Sequence, residues 1–151
     1  MLSLKIKSCM TNSPHTIGED ISLIKAVHAM NEHHIRHLPV LNRGNLVGII
    51  SERDIKLALS VHPAATDLCV GDVMTEDPYV VNSETSLDVV TERMFQDRIG
   101  CTIIRDGVEV HGIFTDLDAL QVLTSLIRGE SADRRKPSEF PVPRSLKQKP
   151  H

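Results

Sequence analysis

Apolar positions along this chain follow two spacings, one typical of helices and one typical of strands. Residues 23, 26, 27 and 30 are apolar, as are 87, 90 and 94, which is the spacing of one face of an amphipathic α-helix. Short apolar runs at 38–41 and 46–50, and again at 102–105 and 108–114, flank turn residues and predict two hairpins. A shorter apolar run precedes each helix, at 15–17 and 79–81.

Helix-capping residues complete the predicted units. Ser22 and Ser86 stand at the starts of the first helices, and Ser51 and Thr115 at the starts of a second pair. Ser and Thr are favoured at these positions because their oxygens accept hydrogen bonds from unpaired backbone N–H groups. The pattern therefore predicts a β-α-β-β-α unit that occurs twice, and each unit is too small to bury a sufficient core alone.

The two units also match residue by residue at an offset of 64. Met10-Thr11 aligns with Met74-Thr75, Gly48-Ile49 with Gly112-Ile113, and Asp54 with Asp118. We therefore predict an α+β fold in which two repeats, at 1–63 and 64–128, pack sheet to sheet with pseudo-twofold symmetry. Residues 129–151 contain four of the eight prolines and few apolar residues, and we expect a flexible basic tail there.

Composition narrows the classes of function. Residues 1–128 carry 11 Lys and Arg against 17 Asp and Glu, so this acidic part of the chain should repel nucleic acid. Only 3% of residues are aromatic, which disfavours a surface on which the bases of single-stranded nucleic acid could stack. The tail carries 6 basic and 3 acidic residues, which suits a solubilising segment or contact with a partner. No apolar run is long enough to cross a membrane, and the N-terminus lacks a signal pattern, so we expect a cytoplasmic protein without membrane contact.

A motif whose side chains could bind a ligand lies at the end of the second strand of each hairpin. In it a glycine is followed three residues later by Ser51 or Thr115, and three residues after that by Asp54 or Asp118. A capping box explains this pattern structurally. Alternatively, the helix N–H groups and the hydroxyl suit a phosphate, the carboxylate suits a ribose diol, and the glycine leaves room for a ligand. No general base accompanies either hydroxyl, so we expect no catalytic residue.

These motifs, with the Met-Thr-x-x-Pro starts and Ile35-Arg36-His37-Leu38-Pro39-Val40, make residues 4–128 resemble a tandem pair of CBS domains, a Bateman module. The resemblance implies a non-catalytic regulatory sensor that binds AMP, ADP or ATP between the repeats. It also implies homodimers formed through the helices and a regulated protein that the sequence does not identify. Two alternatives stay open: a regulator that binds S-adenosylmethionine, and an assembly scaffold without ligand.

The resemblance implies a ligand-contact role for matched pairs of residues in the two repeats. Carboxylates would hold the ribose, hydroxyls would contact phosphate or ribose, backbone groups would bind the adenine, and apolar side chains would pack on it. In that order the pairs are Asp54 and Asp118, Ser51 and Thr115, Thr16 and Val80, and Ile49 and Ile113.

Candidate cations for the phosphates are concentrated in the first repeat. The resemblance implies that Arg36 and His37 bind phosphate, and Arg53 lies beside the first carboxylate. The second repeat has Gly100-Cys101 and Leu117 at the matching positions, so we expect two unequal sites, one of which dominates.

Two other activities are disfavoured by what the sequence lacks. His33 and His37 are spaced for one helix face, but Pro39 follows too closely and no Cys or Glu completes a metal set, so we expect no metal. Neither a P-loop nor an H-E-x-x-H motif is present, which disfavours a nucleotide hydrolase.

Overall fold

Each predicted unit folds as a four-stranded sheet with helices on one face. The computed structural model describes residues 3–62, 64 and 67–133. The first sheet has the order β2 Ile17–Gly18, β3 His37–Asn42, β4 Asn45–Ser51 and β5 Thr75–Glu76, and it carries α1 Leu23–His33, α2 Glu52–Val61 and α3 Val70–Val73. The second sheet has the order β1 Thr11–Asn12, β8 Glu109–Thr115, β7 Cys101–Asp106 and β6 Val80–Val81, and it carries α4 Leu87–Asp97 and α5 Asp116–Ile127.

The α+β class and the main helices agree with the sequence pattern. The four longer helices begin directly after Ser22, Ser51, Ser86 and Thr115. The Ser22 Oγ accepts a hydrogen bond from the N–H of Lys25 at 3.3 Å, as expected of an N-cap. The sequence pattern did not indicate α3, β1, β5 or a 3₁₀ turn at Ile6–Ser8.

The repeats exchange their first strands. Strand β1 of the first repeat pairs antiparallel with β8 of the second, with Thr11 opposite Ile113. Strand β5 of the second repeat pairs in the same way with β4 of the first, with Thr75 opposite Ile49. Each sheet therefore contains a strand from the other repeat, and the chain crosses between the halves just before the predicted adenine contacts.

The methionines that directly precede the exchanged strands fill the space beside the motif glycines. A Cβ atom added to Gly48 would lie 2.7 Å from the Met74 Sδ and 2.7 Å from the Thr75 carbonyl oxygen. A Cβ on Gly112 would meet the Sδ of Met10. The expectation that these glycines leave room for a ligand is therefore wrong, because a methionine from the other repeat occupies that room.

The helix-covered faces of the two sheets form two separate cores. The first core consists of Leu23, Ala26, Met30, Leu38, Val40, Ile50, Ile55 and Val70. The second consists of Ile6, Cys9, Met10, Val90, Met94, Ile104, Phe114, Val122 and Ala132. Ala132 lies at the start of the segment predicted as a tail, so this part of it packs on the body. The rest of the predicted tail, 134–151, lies outside the described residues.

Candidate functional site

The first copy of the motif forms a capping box at the start of α2. The Asp54 N–H donates to the Ser51 Oγ at 3.0 Å, and the Ser51 N–H donates to the Asp54 Oδ2 at 3.0 Å. The structural explanation of the motif is thus correct for this copy. Within the described part of the chain, however, the Ser51 hydroxyl proton has no acceptor and the Asp54 Oδ1 has no donor.

The second copy also forms a capping box, and two further hydrogen bonds reach its carboxylate. The Thr115 N–H and hydroxyl both donate to the Asp118 Oδ2, at 2.8 and 3.1 Å. The Thr11 hydroxyl, on the exchanged strand β1, donates to the Asp118 Oδ1 at 3.0 Å. Asp118 is only 6% exposed, so hydrogen bonds from the protein, and not from water, stabilise most of its charge.

A large cleft lies between the two halves and brings together four of the predicted ligand residues. This central cleft has a volume of about 1010 Å³, at the upper end of the roughly 300–1,000 Å³ usual for small-molecule sites. The predicted residues in its lining are Arg36, His37, Ser51 and Arg53. Its other lining residues are Glu52, Lys56, Met94, Phe95, Gln96, Arg98, Ile99, Gly100 and Asp116.

Cations outnumber carboxylates in the central cleft. It is lined by three arginines and a lysine against Glu52 and Asp116. Glu52 is already paired, at 2.6 Å from the Lys56 Nζ and 3.8 Å from the Arg36 Nε. The hydrogen bond from Lys56 lowers the pKa of Glu52. The cleft therefore favours an anionic group, and the start of α2 adds the positive end of a helix dipole.

His37 lines the central cleft beside Gly100, and the charges of two carboxylates act on it. Burial lowers the pKa of His37, and the nearby charges of Asp116 and Asp54 oppose that shift. A Cβ added to Gly100 would lie 3.6 Å from the His37 Nε2, an ordinary van der Waals distance, so Gly100 lies directly beside the imidazole. An anion bound in the cleft would favour the protonated imidazole and give it a charge-assisted contact.

A smaller pocket of about 530 Å³ contains Val80, one of the two predicted backbone contacts for adenine. This side pocket is lined by Leu46 and Val47 of β4, by Asp77, Pro78, Tyr79 and Val80, and by Arg93, Ile99 and Arg105. Ile99 lines both the side pocket and the central cleft. The Arg93 guanidinium lies 5.2 Å from the centre of the Tyr79 ring and also bonds Asp97.

The structure does not bring the remaining predicted residues into either cavity. Those outside both linings are Thr16, Ile49, Asp54, Ile113, Thr115 and Asp118. Thr16 is exposed just before β2, and Ile113 is 7% exposed on β8. Asp54 is half-buried one turn into α2, behind Ser51, which does line the central cleft.

Sequence reasoning missed several residues of the cleft, above all Arg98. This residue ends α4 in the left-handed conformation, with φ of 55°, and its N–H donates to the Met94 carbonyl. His34 ends α1 in the same way, with φ of 53°, at the matching position of the first repeat. The offset of 64 aligns Arg98 with His34, two residues before Arg36, the first of the predicted phosphate contacts. Lys56 and Phe95 had no comparable signal.

The described residues place no group of three or more His, Cys, Asp or Glu side chains where a metal ion could be held. Within the same residues, no helix is both long and apolar enough to span a bilayer.

Comparison with protein families gives two matches within this chain. The profile of the CBS domain matches residues 6–61 and again residues 70–125. The L-aspartate semialdehyde sulfurtransferase of Methanocaldococcus jannaschii is 30% identical over 115 residues, which are 75% of this chain and 22% of that protein. The CBS domain-containing protein YhcV of Bacillus subtilis is 27% identical over 108 residues, which are 72% of this chain and 77% of YhcV.

Two solved structures with the same fold have sequence identities to this chain close to those of the two relatives above. A Vibrio cholerae protein described as an acetoin utilization protein, AcuB, is 30% identical with a TM-score of 0.76, covering 84% of this chain and 95% of that one. The CBS domain pair of protein MJ0100, in complex with 5′-methylthioadenosine and S-adenosyl-L-methionine, is 28% identical with a TM-score of 0.72, covering 85% of this chain and 98% of that one.

Proposed function

This chain belongs to the CBS domain family, and from that premise we propose that it is a non-catalytic sensor that binds an adenosine nucleotide between its halves. The cationic central cleft carries the proposal. It is lined by the Ser51 hydroxyl, Arg53 and Lys56 from the start of α2, and by Arg98 from the other half. A phosphate bound there would contact both halves at once and so bias their relative position.

The two cavities suggest how the nucleotide would lie. The side pocket, with Val47, Val80 and Ile99, would take the adenine. The central cleft would take the phosphates, beside the Ser51 hydroxyl, and the ribose would lie between them within reach of Asp54. The strand exchange supports this arrangement, because β5 runs next to β4 and leads directly to Val80.

AMP, ADP and ATP fit the charge of the cleft better than S-adenosylmethionine does. The sulfonium of that ligand is cationic, and it would face arginines and a lysine that have few carboxylates to balance them. The related MJ0100 pair binds 5′-methylthioadenosine and S-adenosyl-L-methionine, which supports an adenosine moiety as the shared part of the ligand. We therefore place the three phosphate ligands first and the sulfonium ligand second.

Homodimer formation is part of the same proposal. Helices α2 and α5 leave large apolar side chains in solvent, with Leu57 64%, Leu120 58% and Ile127 76% exposed. Exposed apolar faces of this kind mark contact surfaces. A second copy would cover them, and a regulated protein would then sense the angle between the halves of the paired modules. A scaffold without ligand predicts the same dimer but no response to nucleotide.

Thermal denaturation of the full chain with AMP, ADP, ATP and S-adenosylmethionine tests the ligand. A ligand at 100 times its dissociation constant adds about 2.7 kcal/mol to the free energy of unfolding, which raises the melting temperature by several degrees. Arg53→Gln should weaken the response to the phosphate ligands. Arg43→Gln, in the exposed β3–β4 turn, is the matched control and should keep it. A panel without any shift would favour the scaffold.

A further inference from the structure

The two carboxylates of the repeated motif differ in how the protein already uses them. Among the described residues, Asp54 accepts one side-chain hydrogen bond, from the Ser51 N–H, and is half-buried. Asp118 accepts from the Thr115 N–H, the Thr115 hydroxyl and the Thr11 hydroxyl, and it is 6% exposed. The Asp54 carboxylate can thus accept further hydrogen bonds from a ligand, whereas the Asp118 carboxylate already accepts several from the protein itself.

The hydroxyls of Ser51 and Thr115 also differ in whether their protons are available to a ligand. The Ser51 Oγ accepts from the Asp54 N–H, which leaves its proton for an anion in the central cleft. The Thr115 hydroxyl donates its proton to Asp118 and does not line the central cleft. A phosphate could therefore gain a hydrogen bond from Ser51, while at Thr115 it would have to compete with an existing one.

Thr11 is the residue that makes the second copy different. Thr11 and Thr75 occupy matching positions on the exchanged strands, opposite Ile113 and Ile49 respectively. Yet only the Thr11 hydroxyl donates to the carboxylate of the helix start that it faces. The Thr75 hydroxyl makes no hydrogen bond within the described part of the chain.

Resting on the proposed function, we infer that the Thr11 hydroxyl takes the place on Asp118 that a ribose hydroxyl would take. The chain then binds one nucleotide, in the central cleft next to Asp54, and Asp118 holds the exchanged strand β1 to the second half. A nucleotide at Asp118 would have to displace the Thr11 hydroxyl, so its ribose would replace a hydrogen bond rather than add one. Thr11 is therefore the residue that determines how many sites are open.

Calorimetric titration of the full chain with AMP tests this inference. We expect one AMP per chain for the wild type, and Asp54→Asn should weaken that event at least tenfold, roughly the loss of one charge-assisted hydrogen bond. Thr11→Val keeps the side-chain shape but removes the donor, and it should add a second binding event. Thr11→Ser, which keeps the hydroxyl, and Thr75→Val, the matched change on β5, should both bind one AMP.

Several outcomes would overturn the inference. These are two equal sites in the wild type, full affinity in Asp54→Asn, or a single site in a folded Thr11→Val chain. If that variant does not fold, Thr11→Ala provides the same test. A wild-type chain that binds no AMP, ADP or ATP would remove the proposed function, and with it this inference, so the two failures are distinguishable.

Discussion

The contact between the exchanged strand β5 and Gly48 makes a sharp prediction about stability. Replacing Gly48 with alanine puts a Cβ 2.7 Å from the Thr75 carbonyl oxygen, a backbone atom that β5 cannot move without losing its pairing with β4. Overpacking of this kind costs about 1–3 kcal/mol, and the lower unfolded-state entropy of alanine returns about 0.5–1 kcal/mol. Taking the middle of both ranges, we expect Gly48→Ala to lower the free energy of unfolding by about 1 kcal/mol.

The pseudo-symmetric glycine provides the matched control. At Gly112 the three nearest atoms to an added Cβ all belong to the Met10 side chain, which can rotate to relieve the contact. Gly112→Ala should therefore be less destabilising than Gly48→Ala. Urea and thermal denaturation of both variants measure the difference, where 1 kcal/mol corresponds to about 2–4 °C for a chain of this size. A Gly48→Ala protein as stable as the wild type, or a larger loss in Gly112→Ala, would refute the strand-exchange packing.

Three further predictions concern the cleft and the exposed helices. Arg98→Gly should weaken AMP binding without lowering the melting temperature, since glycine suits the left-handed φ of 55°; a lower melting temperature would contradict this. Burial lowers the pKa of His37, so the folded state takes up this proton less readily and stability should fall as pH drops below 6.5. His37→Gln should reduce that loss between pH 7.5 and pH 5.5 in thermal melts, and an unchanged loss would contradict it. Leu120→Glu should convert a dimer to monomer in light scattering, whereas a dimer that persists would place the interface elsewhere.

Features set by neighbouring residues could be predicted from the sequence. The helix starts at Ser22 and Ser51 and the hairpin turn at Asp106-Gly107 depend on side chains within a few positions, and the structure has all three. The repetition also predicted a second helix start at Thr115, which the structure has. These local rules sufficed for the α+β class and for the duplicated unit.

Features set by distant residues could not be predicted. The strands β1 and β5 are two residues long and carry no periodic pattern, so their exchange depends on pairing across more than 25 residues. The bond from Thr11 to Asp118 joins residues 107 positions apart and has no sequence signal at all. The place of Arg98 in the central cleft could not be predicted, because it depends on how the end of α4 lies against the other half.

A crystal structure of the full chain with AMP tests the proposed binding mode most directly. We expect the phosphate in the central cleft, against the Ser51 hydroxyl and the guanidinium groups of Arg53 and Arg98. We expect a ribose hydroxyl on Asp54 and the adenine beside Val80. An AMP molecule bound outside both cavities, or on Asp118 with Asp54 unoccupied, would contradict it.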